Sequence, residues 1–276
     1  MPVEHALSVD VEDWYHDSGV TAGEVGDRVE RNTDRLLELF AEADSRATFF
    51  VLGDVAEKFP ALLRRIHAAG HEVGSHGHHH RRVMEMTQRE LREELSRSKA
   101  VLEDAIGAAV HGFRAPYFSI KADVRWPVDL VAAVGFTYDA SILPIDRPPG
   151  LELVTPRAPY RLHNGMLEAP VAMLRFGPWH LPLASGAGLR LLPSAWLLSL
   201  IRTFEREIGA GLFYLHPWEI DPGSPAGEGA ARWLLKAGRA KLVQRWRELA
   251  DVRRFGTIRS VFRAHLDDAE AGARQR

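Results

Sequence analysis

The alternation of short apolar runs with longer helical patterns is the feature of this sequence that most constrains its fold. An apolar run at residues 6–11 precedes an amphipathic pattern at residues 29–43, and a β-branched and aromatic run at residues 47–52 precedes a second helical pattern. A third strand is predicted at residues 71–75. Strand–helix alternation at this spacing predicts βαβ units and therefore a parallel sheet or barrel.

The rest of the chain continues this rhythm until a loop-rich stretch interrupts it. Thr87, followed three residues later by Glu90, is a capping-box signature that predicts a helix running to about residue 106. Residues 143–188 are rich in proline and glycine and predict long loops. The remaining predicted elements are strands at residues 111–114, 136–138, 160–162, 167–170 and 213–215, helices at residues 123–134, 193–208, 230–249 and 257–266, and a frayed tail at residues 268–276.

Polar residues stand at the ends of the predicted strands. They are Asp10, His76, Arg114, Asp139 and His216. In parallel barrels the functional groups gather at the carboxyl ends of the strands. The sequence therefore predicts that a functional site lies at this end of the fold.

The composition narrows the classes of function. The chain has 276 residues, a formal net charge of -2 and no cysteine. The lack of cysteine excludes disulfides and leaves histidine, aspartate and glutamate as the ligands of any metal. A near-neutral charge gives no reason to expect a nucleic-acid partner, whose phosphates favour a basic surface. The length fits one large domain or two small ones.

The first residues and the apolar runs bear on localisation. The chain opens without the basic region and apolar run of a secretory signal, and it reaches an acidic cluster at Asp10. No uncharged apolar run attains the roughly 18 residues that span a bilayer. These observations predict a cytoplasmic protein with no transmembrane segment.

The strongest local signal for chemistry is the histidine-rich segment at residues 74–80. His76 and His80 are four residues apart, so on a helical turn both rings can reach one divalent cation. His78 and His79 lie between them and are interpreted as spacers or supporting groups. In a chain with 13 histidines, a solvated surface cluster is the alternative.

A second signal is the acidic cluster of Asp10, Glu12 and Asp13, which directly follows the first apolar run. Three carboxylates this close repel one another unless a cation or a guanidinium neutralises them. A histidine pair with one carboxylate would leave coordination positions open for water, as in hydrolytic rather than structural zinc sites. The alternative is an exposed acidic turn that caps a helix.

Two further strand ends carry candidate residues. Arg114 lies beside a turn fixed by Pro116, where it suits a buried ion pair with a carboxylate, and a surface arginine is the alternative. His216 ends an apolar run and has Glu219 three residues on. By itself His216 fits a hydrogen-bonded structural residue as well as a catalytic one.

Taken in order, these four segments resemble the motifs of the polysaccharide deacetylase family, carbohydrate esterase family 4, which has the NodB-homology domain. The resemblance covers roughly residues 4–220, and residues 48–53 match the family's second strand. It implies an α/β fold, namely a distorted (β/α) barrel of about seven strands with extra loops and C-terminal helices. It also implies a mononuclear divalent metal, usually Zn²⁺, and the removal of N-acetyl groups from amino sugars.

The resemblance assigns the principal roles residue by residue. Asp10 would be the general base, and His76 and His80 would be metal ligands. Arg114 would orient Asp10, and His216 would be the general acid. The same carry-over implies that the metal activates a water molecule for attack on the acetamide.

Four more residues receive roles that concern the substrate. Tyr117 would lend its backbone N–H to the oxyanion, and Leu215 would line the pocket for the acetyl methyl group. Trp218 is the best candidate for stacking on a sugar ring. Asp139 resembles the fourth motif of the family, where it would tune His216, but the tryptophan usual in that motif is missing.

The first motif departs from the family pattern. The common form has two adjacent aspartates, whereas here Val11 follows Asp10. The metal carboxylate must therefore be Glu12 or Asp13. Family branches with an acid–x–acid spacing favour Glu12, and Asp13 requires a sharp turn after Glu12. Both stay candidates at this point.

Further details resemble the exosortase-associated deacetylases of exopolysaccharide loci. Their Asp-Val-Glu-Asp, Arg-Ala-Pro and His-Pro-Trp-Glu motifs occur here at residues 10–13, 114–116 and 216–219. This resemblance implies a catalytic barrel at residues 1–220 with subgroup-specific loops at residues 143–192. A C-terminal helical extension at residues 221–276 would pack on the same domain. The substrate would be an N-acetylated polysaccharide or a lipid-linked oligosaccharide of exopolysaccharide biosynthesis.

Two other interpretations fit parts of the same pattern. Relatives on this barrel open heterocyclic amides, so a cyclic-amide or ureide hydrolase is one alternative; the metal pair argues against those that lack a metal. The other is a non-catalytic carbohydrate-binding protein. The complete set of Asp10, His76, His80, Arg114 and His216 argues against that alternative.

The predicted helix at residues 230–249 combines six basic residues with two tryptophans. A basic amphipathic helix can meet a lipid-linked substrate at an anionic membrane surface. The sequence favours the simpler interpretation, a helix that covers the barrel and exposes a solvated basic face. Peripheral membrane contact is the alternative.

Overall fold

The structure is a computed structural model. It describes residues 3–18, 26–145, 155–176, 179–181, 183, 185–223 and 236–267. The start of the helix expected at residues 230–249 and the tail expected at residues 268–276 lie outside the described residues.

A curved parallel sheet organises the described part of the chain. Its strands are β1 Glu4–Val11, β2 Thr48–Val51, β3 Glu72–Ser75, β4 Gly112–Phe113, β5 Tyr138–Asp139, β6 Tyr160–Arg161, β7 Leu167–Glu168, β10 Leu212–Leu215 and β11 Arg254–Gly256, and β8 Leu174–Phe176 pairs with β9 Trp179–Leu181 in a separate hairpin. The run β10-β1-β2-β3-β4-β5-β7 is parallel throughout, and β6 adds antiparallel to β7. These seven parallel strands confirm the expected sheet of a distorted (β/α) barrel.

The two ends of this sheet approach each other. Val171, three residues beyond β7, forms a parallel bridge to Leu212 of β10. The amide of Ala172 donates a hydrogen bond of 2.9 Å to the carbonyl of Leu212. The chain after β7 therefore brings the sheet edge back to β10, which gives the sheet the curvature of an incomplete barrel.

Helices cover the outside of the sheet. They are α1 Trp14–Ser18, α2 Arg28–Glu42, α3 Gly53–Lys58, α4 Pro60–Ala68, α5 Gln88–Ile106, α6 Trp126–Ala133, α7 Gly186–Leu191, α8 Ser194–Glu207, α9 Arg239–Ala250 and α10 Ile258–Val261, with 3₁₀ turns at Val83–Glu85, Pro116–Phe118 and Pro217–Ile220. The expected capping box starts α5, where the Thr87 side chain accepts from the Glu90 amide and the Glu90 carboxylate accepts from the Thr87 amide.

The prediction of a single helix after β2 is wrong. The structure has two helices, α3 and α4, separated by Phe59, whose φ of -125° and ψ of 57° are not helical. Phe59 precedes Pro60, and the proline ring disfavours helical backbone in the residue before it. Pro60 then starts α4, where a proline loses no helical hydrogen bond.

Period-two alternation on β1 separates two buried layers. Leu7, Val9 and Val11 belong to the apolar core that includes residues of the outer helices. Ala6 belongs to a second apolar cluster inside the barrel, and Ser8 lies on the same side of the strand. Both faces of β1 are therefore buried, as expected for a parallel strand covered on both sides.

Large aromatic rings fill the barrel opposite glycines. A Cβ atom at Gly112 would lie 2.1 Å from the Tyr138 ring, and one at Gly74 would lie 2.6 Å from the Phe50 ring. Glycine is thus required at both positions, because any side chain would collide with a ring already packed there.

The C-terminal region packs on the same sheet. β11 pairs in parallel with the first half of β1, and Trp246 of α9 packs against Phe40 at 5.1 Å and Phe255 at 4.9 Å between ring centroids. This packing agrees with an extension that covers the barrel. The domain boundaries at residues 220 and 221 stay a prediction.

The arginines of α9 make internal contacts. Arg239 is buried, with its guanidinium 5.0 Å from the centre of the Trp218 ring. Arg245 donates to the Leu189 carbonyl at 2.9 Å, and Arg247 pairs with Glu42 at 2.9 Å. These contacts support the interpretation of a covering helix, and peripheral membrane contact stays a prediction. Among the described helices, none combines the length and the apolarity needed to cross a membrane.

Candidate metal centre and active site

The carboxyl ends of the central strands bring the predicted residues together. Asp10 is in β1, His76 directly follows β3, Arg114 directly follows β4, and His216 directly follows β10. Arg114 contacts both the Asp10 carboxylate and, through its carbonyl, the His76 ring. The expected convergence at one end of the barrel is therefore present.

Glu12, His76 and His80 form a buried cluster of potential metal ligands. The Glu12 Oε2 atom lies 2.5 Å from His80 Nε2 and 3.6 Å from His76 Nε2. All three side chains are buried, with Glu12 only 1% exposed. The cluster contains two imidazoles and one carboxylate, the donor types that hydrolytic zinc sites use.

The turn after β1 places Glu12, and not Asp13, with the histidines. β1 ends at Val11, and the Glu12 amide donates to the Asp10 carbonyl at 3.0 Å. Asp13 instead stands at the start of α1, where its Oδ1 accepts from the Trp14 amide at 2.8 Å. Its own amide donates to His16 Nδ1 at 3.0 Å. Of the two candidate acids, the structure places Glu12 at the cluster.

Backbone carbonyls orient both imidazoles. His76 Nδ1 lies 2.8 Å from the carbonyl oxygen of Arg114, and His80 Nδ1 lies 3.2 Å from that of His16. With Nδ1 as donor, each ring turns Nε2 toward Glu12 in the form that binds a metal. No local sequence signal marks His16 for this role, because its contact to His80 bridges 64 residues.

The loop between the two histidines has unusual backbone geometry. Gly77 has a φ of 81° and His80 a φ of 54°. A positive φ is unfavourable for histidine and persists where the surroundings hold it in place. This conformation turns the His80 ring back toward His76, with 5.3 Å between the ring centroids.

The cluster fits a divalent cation on two observations. Glu12 Oε2 is buried and has no hydrogen-bond partner among the described residues, although two imidazole nitrogens face it. Burial opposes ionisation of Glu12, but the adjacent His80 and His76 outweigh it and hold the pKa of Glu12 well below its usual value. An ionised carboxylate with an unused oxygen beside two oriented imidazoles is suited to ligate a cation.

Asp10 and Arg114 form a buried ion pair beside the cluster. Arg114 Nη1 donates to Asp10 Oδ1 at 2.7 Å and to Ser8 Oγ at 2.8 Å. The guanidinium is fully buried and lies 4.5 Å from the centre of the Phe50 ring. The charge-assisted hydrogen bond from this immobilised guanidinium fixes the direction of the Asp10 carboxylate.

His216 is the partly exposed member of the site. Its Nε2 atom lies 3.5 Å from Glu12 Oε1, and its Nδ1 atom lies 3.1 Å from Glu219 Oε2. The ring stacks on Trp218 at 5.0 Å between centroids. Burial lowers the pKa of His216, but the hydrogen bond to Glu219 and the charges of Glu12, Glu219 and Asp10 outweigh it and raise the pKa to about 10.

Glu219 holds His216 in place from the other side of the ring. Besides contacting His216, it accepts from buried Arg190 at 2.9 Å. The pKa of Glu219 is lowered although burial opposes this, because the hydrogen bond and charge of His216 and the charge of Arg190 favour the carboxylate. Glu219 contacts Nδ1 of His216, whereas Asp139 contacts neither ring nitrogen of His216 in the described contacts.

Tyr117 lies at the rim of the cluster. Its ring centroid is 4.5 Å from that of His80, and its hydroxyl donates to the His16 carbonyl that also faces His80. Tyr117 and Phe118 both have positive φ, 58° and 49°. A strained turn of this kind beside a candidate metal centre is typical of functional backbone. The role of the Tyr117 amide stays a prediction.

The three residues expected to bind substrate are buried. Leu215 belongs to the core between the strands and the helices, and Trp218 is 3% exposed beneath His216. Tyr214, on the barrel side of β10, has its ring centroid 5.7 Å from that of His216. Asp139 is fully buried and accepts from Ser141 Oγ at 2.5 Å. The substrate roles of Leu215, Trp218 and Asp139 stay predictions.

Replacing Glu168 with glutamine is expected to stabilise the fold at alkaline pH. Asp139 and Glu168 pair in register and are fully buried. Burial and the charge of Asp139 raise the pKa of Glu168 well above its usual value, and burial raises the pKa of Asp139 to about 6. A carboxyl with a raised folded-state pKa contributes stability below its unfolded pKa and loses it as the pH rises through the folded value.

Thermal unfolding of Glu168→Gln checks this expectation. Its melting temperature should exceed that of the wild type by about 2–4 °C near pH 8, the effect of about 1 kcal/mol, with little difference near pH 5. The exposed Glu207→Gln is the matched control and should show no such pH dependence. An equal change at both pH values would contradict the argument.

Comparison with known proteins agrees with this geometry. A family model described as polysaccharide deacetylase matches residues 17–138, and a second, described as a domain of unknown function (DUF3473), matches residues 140–263. Asp10 and Glu12 precede the first region, and His216 falls in the second. The site therefore draws on residues from both regions and from the strand before them.

Relatives and solved structures extend the comparison. The peptidoglycan deacetylase of Helicobacter pylori is 34% identical over 131 residues, which are 48% of this chain and 42% of that protein, so the match spans about two fifths of the relative. A Mycobacterium smegmatis protein, itself predicted to be a polysaccharide deacetylase, has a TM-score of 0.65 at 21% identity and covers 99% of this chain and 92% of its own. BA3943 of Bacillus anthracis, a family 4 pseudoenzyme, has a TM-score of 0.52 at 15% identity, over 94% of this chain and 65% of its own.

The two structural likenesses establish the fold alone, and one of them is to a pseudoenzyme. The membership of the exosortase-associated subgroup stays a prediction. The family models, the curated relative and the strand-end motifs agree on the wider group. The chain contains a polysaccharide deacetylase domain, matched at residues 17–138, followed by DUF3473, matched at residues 140–263.

Proposed function

We propose that this chain is a metal-dependent deacetylase that removes N-acetyl groups from amino-sugar residues of a polysaccharide or of its lipid-linked precursor. The observation that carries the proposal is the placement of three functional groups at one end of the barrel. They are the Glu12–His76–His80 cluster, the Asp10–Arg114 ion pair and the His216–Glu219 pair.

Glu12, His76 and His80 are the residues that would hold the cation. Imidazole and carboxylate donors suit Zn²⁺, although several divalent ions accept the same donors. A cation at such a site supplies Lewis acidity toward a carbonyl oxygen and lowers the pKa of a bound water. The protein's own part is to fix the ligand atoms, which the Arg114 and His16 carbonyls do through the two Nδ1 atoms.

Asp10 is the proposed general base. Its carboxylate, like that of Glu12, lies close enough to His216 to act on it by charge, so it can accept the proton of a water molecule that attacks next to the cluster. Arg114 holds Oδ1 at 2.7 Å. This leaves Oδ2 for proton transfer.

His216 is the proposed general acid. Its raised pKa keeps the ring protonated near neutral pH, and its Nδ1 is engaged by Glu219. The Nε2 proton can therefore pass to the departing amine of the sugar. The Tyr117 amide is proposed to donate to the oxyanion that forms on the acetyl carbonyl.

Known relatives support the substrate class. The matched relatives include peptidoglycan deacetylases and chitooligosaccharide deacetylases, all named for N-acetylated sugars. A fold that also serves a pseudoenzyme shows that the barrel alone does not provide catalysis. The present chain keeps Asp10, Arg114 and His216 together with the cluster, which favours an active enzyme.

Product analysis tests the proposal. Zinc-loaded protein incubated with N-acetylglucosamine oligomers should release acetate and leave an oligomer lighter by one acetyl group, as measured by mass spectrometry. A cyclic ureide offered in parallel should stay closed. Ring opening without acetate release would instead indicate a cyclic-amide hydrolase. The absence of both products would indicate a binding protein.

Replacing Glu219 with glutamine is expected to move the alkaline limb of the pH–rate profile to lower pH. The proposed acid must carry its proton, so activity is present below the pKa of His216 and is lost as the pH rises through it. Glu219→Gln removes the hydrogen-bonded carboxylate that raises this pKa. The limb should move by about 1–3 pH units, the size of the effect of a neighbouring charge.

Steady-state rates across the pH range measure this shift. Glu207→Gln, which removes an exposed carboxylate paired with Arg157, is the control and should leave the limb in place. An unmoved limb in Glu219→Gln would contradict the role of His216 as the acid.

A further inference from the structure

A second group of potential metal ligands lies on the outer side of the histidine loop. Asp54 of α3, His78 and His79 offer ligand atoms that all lie within 4.8 Å of one another. Glu57 of α3 and Glu94 of α5 stand beside them. We call these five residues the outer cluster. It shares no residue with the Glu12–His76–His80 cluster.

His78 is the central observation. Its side chain is fully buried, and neither ring nitrogen has a hydrogen-bond partner among the described residues. The Nε2 atom faces Asp54 Oδ1 at 3.5 Å and Glu57 Oε1 at 3.6 Å. A buried imidazole that faces two carboxylates without hydrogen-bonding either is costly unless something else satisfies it.

The lack of a side chain at residue 53 makes room for the His78 ring. A Cβ atom at Gly53 would lie 1.9 Å from His78 Nδ1, so only glycine at residue 53 admits the imidazole. The amides of Gly53 and Asp54 also donate to the carbonyls of Gly77 and His78 at 3.0 and 3.2 Å. α3 and the histidine loop are thus joined through backbone contacts that hold His78 against the acids.

The distances suit a bridging cation. Ligand bonds of about 2.0–2.2 Å at tetrahedral angles place neighbouring donor atoms about 3.4 Å apart. The two separations at His78 Nε2 are close to this value. His79 Nδ1 lies nearer, 2.9 Å from Asp54 Oδ2, which is a hydrogen-bond distance that a small movement of an exposed side chain would open.

The charge balance also favours a cation. Asp54, Glu57 and Glu94 contribute three carboxylates, and Arg97 contributes one guanidinium, bound to Glu57 at 2.9 Å. Glu94 is further engaged by the amides of His78 and His79 at 3.1 and 3.0 Å. Arg97 therefore offsets one of the three negative charges, and the carboxylate nearest both imidazoles, Asp54, has no guanidinium of its own in the described contacts.

We propose that Asp54, His78 and His79 bind a second divalent cation, with Zn²⁺ as the ion that the donor set fits best. The cation ties α3 to the loop that carries His76 and His80. It thereby fixes the conformation of that loop from outside, without touching the reacting groups. The proposal is independent of the proposed activity, since it concerns metal content and stability.

Metal stoichiometry tests the proposal. Tag-free protein, stripped by chelation and dialysed against Zn²⁺, should hold two ions per chain by elemental analysis. His79→Asn and Asp54→Asn should each hold one, and His67→Asn, which removes an exposed histidine elsewhere, should hold two. His76→Ala should also hold one, from loss of the other site.

Two outcomes would overturn the proposal. One is a wild type with a single ion whose content His79→Asn leaves unchanged. The other is a wild type with two ions of which His79→Asn and Asp54→Asn lose neither. His79 is exposed, so His79→Asn should fold, and an unchanged melting temperature of its metal-free form confirms this.

Stability and activity separate the two sites. Zn²⁺ should raise the melting temperature of the wild type more than that of His79→Asn, because only the wild type gains the second ion. His79→Asn should still release acetate from N-acetylglucosamine oligomers, whereas His76→Ala should not. Equal melting shifts in the wild type and His79→Asn would count against the outer site even if acetate release never occurs.

Discussion

Replacing Glu12 with glutamine is expected to remove the metal from the candidate active site and to lower deacetylation about 10³-fold. Glutamine keeps the volume of the side chain but gives up the charge that two imidazoles face at 2.5 and 3.6 Å. A bound cation contributes several kcal/mol to transition-state stabilisation in hydrolases of this kind. Loss of about 4 kcal/mol corresponds to the stated factor.

Asp13→Asn is the matched control for this variant. It changes the adjacent acid, which lies at the start of α1 and whose side chain does not contact His76 or His80 in the described contacts. Asparagine can still accept from the Trp14 amide, so metal content and activity should stay close to those of the wild type. Elemental analysis and initial rates of acetate release measure both. A reversed pattern, with Asp13→Asn losing the metal, would show that Asp13 is the ligand.

Replacing Asp10 with asparagine is expected to reduce kcat by about 10²–10⁴-fold while the metal stays bound, the range that general base catalysis supplies. Asparagine Oδ1 can still accept from Arg114 Nη1, so the guanidinium keeps a partner at this position. The side chain can no longer take a proton from water. The loss should therefore appear in kcat and not in metal content.

Two measurements keep this prediction specific. Unchanged zinc content would separate Asp10→Asn from the ligand variant Glu12→Gln. An unchanged melting temperature would exclude general unfolding as the cause, because each kcal/mol lost from the free energy of unfolding would lower it by about 2–4 °C. Acetate release by Asp10→Asn at the wild-type rate would refute the assignment of the base.

The strand ends could be predicted because they follow from local pattern alone. Runs of buried apolar residues mark the strands, and parallel strands end at one edge. Asp10, His76, Arg114 and His216 were each placed correctly by this rule. The choice between Glu12 and Asp13 as the third ligand does not follow from this rule, because β1 ends at Val11 and the Glu12 amide turns back to the Asp10 carbonyl at 3.0 Å.

The supporting contacts could not be predicted, because they join distant parts of the chain. The His16 carbonyl orients His80 across 64 residues, and Ser8 shares the Arg114 guanidinium across 106. Neither has a local signature. Glu219 was visible as an acid three residues after His216, but only the packing of Arg190 against it shows that its carboxylate is held in place.

The outer cluster illustrates the same limit. Spacing alone favours His76 and His80 as metal ligands, so the sequence predicts only spacers or supporting groups at His78 and His79. Their common partner, Asp54, lies in α3, 24 residues before His78 in the chain, and the glycine that admits the His78 ring directly precedes it. Only the packing of α3 against the loop brings these residues together.

Titration of the metal-free protein with Zn²⁺ tests the central claim most directly. Acetate release from N-acetylglucosamine oligomers is recorded at each addition, in the His79→Asn variant so that the outer cluster does not take up the ion. The account predicts no release without metal, a rise in proportion to the ion bound, and a plateau at one ion per chain. Release that is equal before and after the addition of metal, or absent at full occupancy, would contradict it.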